Sequence, residues 1–401
     1  MYPTSRQMKI LCETIETCRR VYNDALLDRR ENWEKVKHQE KEMRQTINYV
    51  DQVKGIIDKR KTNWWLQRVE AQVLNDVLNR VRKAYEKFIS SLINNIPHGL
   101  PNLKKKGDYK SFTYPSMKKG RFGKVSNNKV FLSRRIGEVK IRYHRELPDN
   151  YKVKTLTVVK KLDEWYLLYK VELPKPDERS DLKTCVGIDF GLTSLVTLSN
   201  GQHIRNPAFI IQAYHKMKKT ITRYQRKEKD SNNRRKATLE FLKVKQKVQH
   251  QRCDYRHKVT RAIINACDVV FYEGLHFFNL GKNTHMNIHI SEAGWGTIAR
   301  MLEYKARLEG KLVFPVPPQN SSQLCSLCDT KIPKTVDVKI HKCHICGLEM
   351  DRDENASRTI LKRGLNIYGH LLTSPEELRG RACLSSLTRD AMIQEVRHHG
   401  E

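Results

Sequence analysis

The chain has 401 residues, enough for several small domains, and 39% of them are apolar, enough to build cores. Its 76 Lys and Arg outnumber 44 Asp and Glu, giving a net charge of +32. A compact body with that surplus repels itself unless a polyanion neutralises it, so nucleic acid is favoured over a merely soluble basic protein. No stretch of about 18 apolar residues is present and the segment MYPTSRQMKI lacks an apolar leader core, so neither a membrane span nor a secretory signal is expected. Of ten cysteines, four form two C-x-x-C pairs and six are scattered, a pattern of a reducing compartment with one metal site.

Residues from about 8 to 96 repeat apolar side chains at three- and four-residue spacing and are expected to form two or three long helices with basic faces. From Pro97 to about Val125 the composition shifts to Gly, Pro and Lys. Between Lys104 and Lys124 stand eight Lys or Arg and one acid, interleaved with Tyr109, Phe112, Tyr114 and Phe122. Cations that meet phosphates and rings that stack on bases make Lys104, Lys105, Lys106, Tyr109, Lys110, Lys118, Lys119 and Arg121 candidate nucleic-acid contacts. The alternative is a solvated loop whose aromatics tuck into a core. Residues 128 to 174 are β-branched or aromatic segments separated by turn residues, with 161–164 as a hairpin turn. The polar segment 174 to 183 is expected to be a linker.

At Cys185 a new pattern begins. CVGIDF is a short apolar strand, followed by a hairpin turning at Asn200-Gly201. A polar helical hairpin should occupy Pro207 to about Ala266. Residues 214 to 258 hold sixteen Lys or Arg against four acids, which adds Arg223, Arg226, Arg234 and Arg235 to the candidate contacts. CDVVFYEG is another buried strand, 294 to 309 a helix, KLVFPVP a strand, and DENASRTILKRGL a closing helix. Strands alternating with helices imply an α/β domain.

Three acids end or begin such elements. Asp189 ends one apolar strand, Glu273 ends another, and Asp353 opens a helix. Strand ends of open α/β sheets are where ligands bind. Three carboxylates gathered there would repel one another unless they held cations, which suits two Mg²⁺ ions hydrolysing a phosphodiester. Singly, Asp189 could be a turn residue and Asp353 an N-cap. Cys325, Cys328, Cys343 and Cys346 form two knuckles fourteen residues apart, the spacing of one tetrahedral structural zinc. The short segment between them could not bury a core, so the metal would hold it, supplying about 10–16 kcal/mol as in isolated finger peptides. His341 and His344 are expected to be bystanders.

The order GIDFG, VVFYEGL, CSLC…CHICG and DRDENAS resembles the split RuvC nuclease of transposon-encoded TnpB proteins, relatives of the type V CRISPR effectors. YPTSRQ, RVYNDAL, FTYPSMKKG, YRHKVTRAII and MLEYKARLEGKLVFPVPPQNSSQLC are similar to TnpB segments in the same order, so the resemblance covers about residues 2 to 365. It implies a multidomain α+β protein. A β-barrel wedge domain (1–10 and 97–178) would carry an inserted helical recognition domain (11–96). A ribonuclease H-like RuvC α/β domain (182–323 and 349–367) would carry an inserted zinc-binding module (324–348), with 368–401 as a tail that could be disordered. Asp189, Glu273 and Asp353 match the RuvC acids. Asp353 is preferred to Asp351 because it stands two residues before Asn355. The implied activity is RNA-guided cleavage of double-stranded DNA beside a short adjacent motif. A noncoding guide RNA would be the partner, in a prokaryotic cytoplasm or nucleoid, with the protein a monomer or dimer. Three sequence differences from the family stand out: the strand usual before YPT is expected to be missing or altered, the first knuckle ends Cys328-Asp329 where Cys-Gly is usual, and Leu324 replaces a small polar residue beside the first cysteine. Other readings are a cleavage-dead RNA-guided DNA-binding repressor, a compact type V CRISPR effector, and a transposase using the same acids.

Overall fold

The computed structural model describes residues 1–116, 123, 125–126, 128–142, 152–174, 176, 182–274, 287–335 and 338–369. The chain divides into two compact units, Met1–Pro174 and Lys175–Glu401. The candidate contacts Lys118, Lys119 and Arg121, and all of the tail but its first two residues, lie outside the described residues.

The first unit opens with one bridge, Tyr2 to Lys140, and helix α1 (Ser5–Val36) follows at once. Thr4 and Gln7 form a reciprocal capping box that satisfies the first orphan N–H groups. Its buried stripe runs Leu11, Ile15, Cys18, Tyr22, Ala25 and Leu26. Then come α2 (Tyr49–Thr62), capped by Asn48, the single turn α3 (Trp64–Gln67), and α4 (Ala71–Ile93), whose Val73, Leu74, Val77, Leu78 and Val81 face inward. The strands are β1 (Ser111–Tyr114), β2 (Val125–Ser126), β3 (Lys129–Ser133), β4 (Gly137–Lys140), β5 (Lys152–Lys161) and β6 (Glu164–Glu172). They form two antiparallel sheets in the orders β1-β5-β6 and β2-β3-β4. Leu162, at φ 53, occupies the left-handed position of the β5–β6 turn. Helices and strands share one hydrophobic cluster running from Ile10 to Trp165.

That core corrects one sequence expectation. Tyr109, Phe112 and Tyr114 are buried at 8%, 0% and 1% exposure. The Tyr109 ring packs 5.8 Å from that of Tyr22 and lies under the Arg80 guanidinium. These aromatics are core residues rather than stacking platforms, because β1 is covered by the helices and Tyr109, just before it, packs into the same cluster.

The second unit contains β7 (Cys185–Asp189), β8 (Ser194–Leu198), β9 (His203–Arg205), α5 (Phe209–Gln225), α6 (Asn232–Ala266), β10 (Val269–Glu273), α7 (Asn287–Ala293), α8 (Trp295–Leu308), β11 (Leu312–Val316), β12 (Ile340–Lys342), β13 (Glu349–Asp351) and α9 (Arg352–Tyr368). Five strands make one sheet in the order β11-β10-β7-β8-β9. β7, β10 and β11 run parallel; β8 and β9 return antiparallel. The central strands β7 and β10 are apolar up to the acid that ends each, because both faces are covered. Val186, Ile188, Val270 and Tyr272 pack with residues of α6 and α8, while Cys185, Val269 and Phe271 pack with Ile360 of α9.

Two glycines let α9 settle on the sheet. A Cβ on Gly187 in β7 would strike the Ser357 carbonyl and lie 2.7 Å from Leu361 N; one on Gly364 of α9 would strike the Phe271 ring. Asp268 ties the starts of β7 and β10. Its Oδ2 accepts from Lys183 N (3.1 Å), Thr184 N (3.2 Å) and the Thr184 hydroxyl (2.9 Å).

Candidate active site and metal centre

Strand alternation decides where the first two acids go. Residues at i, i+2 and i+4 share a face, so Asp189 lies on the side of Cys185 and Gly187, and Glu273 on the side of Val269 and Phe271. Both are the side that α9 covers. Tyr272 is in register with Ile188 across the parallel pair, which sets Glu273 level with Asp189. Helix α9 starts at this same sheet end and brings Asp353 in its first turn. The Oδ2 of Asp353 is close to Gly191, in the loop just after Asp189. Trp295 at the start of α8 holds that loop by donating Nε1–H to Gly191 O at 3.1 Å.

The electrostatics follow from this placement. Burial first, then the carboxylates of Glu273 and Asp353, push the Asp189 carboxyl up to about 8, while Arg352 pulls it down. Burial raises Glu273 as well; the Ser321 hydroxyl, donating to Oε1 at 2.7 Å, and Arg363 restrain the rise. Arg352 clasps Asp353 Oδ1 with Nε at 3.0 Å and Nη2 at 2.9 Å. Such a cluster is one that cations would relieve. Among the described residues, only the four cysteines bring three or more donor atoms within 4.8 Å of one another. The carboxylates are spread more widely. An oxygen-only set of this kind is the chemistry of hard divalent cations such as Mg²⁺.

The cysteines are assembled. Cys325 Sγ lies 3.6 Å from Cys346 Sγ, and Cys328 Sγ 3.5 Å from Cys343 Sγ. The edge of a tetrahedron with Zn–S of 2.3 Å is about 3.8 Å, so the donor set fits one zinc. Each knuckle closes the same way: Asp329 N donates to Cys325 O (3.0 Å) and Gly347 N to Cys343 O (2.9 Å). Both closing residues are left-handed, with φ 60 and φ 71. Asp329 can therefore replace glycine because aspartate tolerates that conformation, and Lys362 of α9 holds its carboxylate at 2.6 Å. His341 is fully buried beside Lys334, outside the four-sulfur group.

The candidate nucleic-acid residues divide by what they touch. Lys105, Lys106 and Lys110 are exposed. Lys104 is half-buried; its carbonyl accepts from Arg19 and Asn23. On the α5–α6 hairpin, Arg226 and Arg235 are exposed, Arg223 pairs with Glu240 at 3.0 Å, and Arg234 lies over the Tyr224 ring at 4.6 Å. The sequence did not single out Ser321, a serine among polar turn residues with no distinguishing pattern, nor Arg352.

The chain is similar to several known proteins. Family models match residues 1–47 (“Helix-turn-helix domain”), 168–284 (“Probable transposase”) and 295–360 (“Cas12f1-like, TNB domain”). A Streptomyces pristinaespiralis protein described as “Putative RNA-guided DNA endonuclease” is 31% identical over 91% of this chain and 88% of its own length. “Putative RNA-guided DNA endonuclease InsQ” of Escherichia coli K12 is 27% identical over 86% of each chain. The Cas12f1 chain of a Cas12f1-sgRNA-target DNA complex solved by cryo-EM superposes with a TM-score of 0.54, at 15% identity, over 88% of this chain and 82% of that one. Among the described residues, no helix is long and apolar enough to cross a membrane.

Proposed function

The chain belongs to the TnpB family, and from that premise we propose that it is an RNA-guided, metal-dependent endonuclease that cuts double-stranded DNA beside a short adjacent motif, with Asp189, Glu273 and Asp353 at its cutting centre. One observation carries the proposal: three segments distant in sequence deliver three carboxylates to one end of one sheet, where Asp189 carries the field of the other two. The oxygen-only donor set suits Mg²⁺. Two such ions, when bound, would activate a water and neutralise the leaving oxygen of a phosphodiester. The protein's own residues supply placement. β7 and β10 fix Asp189 and Glu273 by register, α9 carries Asp353, and Trp295 steadies the loop between the first acid and β8.

The sheet order β9-β8-β7-β10-β11 with α9 against it supports a ribonuclease H-like RuvC domain, split by the knuckle module. Two three-stranded sheets joined to α1–α4 support a wedge with an inserted helical recognition region. The four cysteines would hold one structural zinc. The partners are a noncoding guide RNA and a target duplex, the same kinds of partner named for the solved Cas12f1 complex.

The test uses the protein purified with the RNA that accompanies it, Mg²⁺, and a duplex library carrying a sequence complementary to that RNA. The wild type cuts guided targets. Asp189→Ala binds the same targets and loses cutting by at least about 10³-fold. Full cleavage by that variant, or no cleavage by the wild type with its native RNA, refutes the proposal.

A further inference from the structure

From the end of β11 through the first knuckle, residues 317–329 form a strap pinned to α9 along its length. Arg363 donates to Gln319 O at 3.0 Å and also to Pro317 O. The Asn355 carboxamide, fully buried, donates Nδ2–H to Leu324 O at 2.7 Å and accepts Ser326 N–H at 2.9 Å, so it brackets Cys325. Lys362 holds Asp329 at the far end. Within the strap sits Ser321, itself 5% exposed, with its hydroxyl donated to Glu273 Oε1 at 2.7 Å; Glu273 is 9% exposed.

We propose that Ser321 is a positioning residue for Glu273, and that Asn355 and the cysteine site hold it there. This rests on the reading of Glu273 as a holder of divalent ions. A ligating carboxylate needs a partner on its other lone pairs to fix its rotamer, and losing that partner commonly lowers metal affinity 10- to 100-fold. Ser321 is the side-chain hydrogen-bond donor recorded for Glu273 among the described residues. Four residues further on, Cys325 is fixed twice, by its sulfur in the four-cysteine cluster and by Asn355 around its backbone. Asn355 is also two residues past Asp353 on the same helix. One frame of helix and knuckle therefore supports two of the three acids, Asp353 directly and Glu273 through Ser321.

Mn²⁺ binding to the purified protein with its RNA, followed by electron paramagnetic resonance, tests this without relying on cleavage. Zinc content and guided cleavage are measured beside it. Ser321→Ala should raise the half-saturating Mn²⁺ concentration about 10-fold or more while keeping one zinc, with cleavage recovering at high metal. Ser321→Thr, which restores the hydroxyl, should return the wild-type value. Asn355→Ala should weaken Mn²⁺ binding and speed zinc extraction by a chelator together. Unchanged Mn²⁺ affinity in Ser321→Ala overturns the proposal. Loss of zinc in that variant also overturns it, because the strap rather than the contact would then have failed. A wild type that binds no Mn²⁺ instead overturns the assignment of the acids, and the proposal with it.

Discussion

Asp351 caps the helix that Asp353 belongs to: its Oδ1 accepts Asp353 N–H at 2.9 Å and Glu354 N–H at 3.0 Å. Capping is thus the task of Asp351, and Asp353 is the aspartate proposed for the site. Asp351→Asn preserves a good cap and should retain cleavage and melting temperature. Asp351→Ala should cost about 1 kcal/mol of stability. Asp353→Asn should leave the melting curve alone and abolish cutting. Thermal melts paired with a cleavage assay separate the two roles, and equal activity loss in Asp351→Asn and Asp353→Asn would erase the distinction.

The cysteine cluster should bind one zinc per chain, measured by elemental analysis. Cys343→Ser should bring zinc to background and deprotect the amides of 325–349 in hydrogen exchange, because the module has little else to hold it. Protection that survives zinc loss would show that the module folds without metal.

Gly187→Ala should destabilise the second unit by about 1–3 kcal/mol or more, because the Ser357 backbone must retreat. Cleavage should fall further than stability, since Asp353 rides on the displaced helix. Gly55→Ala is the control: nothing lies within 4 Å of its Cβ, and it should stabilise α2 by up to about 1 kcal/mol. Similar melting shifts in the two variants would contradict this packing.

Asp268 should make stability depend on acid. Burial pushes its carboxyl up, but hydrogen bonds from Lys183 and Thr184 and the charge of Lys311 outweigh burial and hold it below the ordinary value. Its contribution is therefore fully present above the unfolded value near 3.9 and disappears as pH falls through the lower folded value. Asp268→Asn should cost about 1–3 kcal/mol near neutrality. Denaturant titrations should show the gap between wild type and variant closing below about pH 4; a gap independent of pH would remove the carboxylate from the account.

Charge reversal at the exposed Lys105, Lys106 and Lys110, or at Arg226 and Arg235, should weaken RNA or DNA binding. It should also flatten the salt dependence by about 0.7–0.9 log units per lost phosphate contact. Arg234→Ala should mainly lower hairpin stability, since its guanidinium is committed to Tyr224. A salt slope unchanged in the exposed set would exclude those lysines and arginines from the interface.

Much of the second unit was legible because its strands announce themselves: CVGID and VVFYE are apolar runs ended by an acid, and the two cysteine pairs specify a ligand set by spacing alone. What stayed hidden depends on which side chain meets which across the fold. Ser321 looks like any turn serine until β11 turns it toward Glu273. The rings of Tyr109, Phe112 and Tyr114 could have faced solvent or core, and only their pairing with β5 and α4 decides. Asp329 read as a departure at the first knuckle, yet its φ of 60 matches the handedness of Gly347.

The shared core of the first unit sets an order of events during synthesis. β1 pairs with β5 and Gln7 reaches Ile136 O, so the unit cannot close until its later strands have left the ribosome. At about 5–20 residues per second, the helices wait on the order of ten seconds or more with their apolar stripes sheltered only by one another. Shortening the chain between α4 and β6 would change how long that interval lasts, while removing α1 would leave α4 without its main helical partner and β1 with less of its cover.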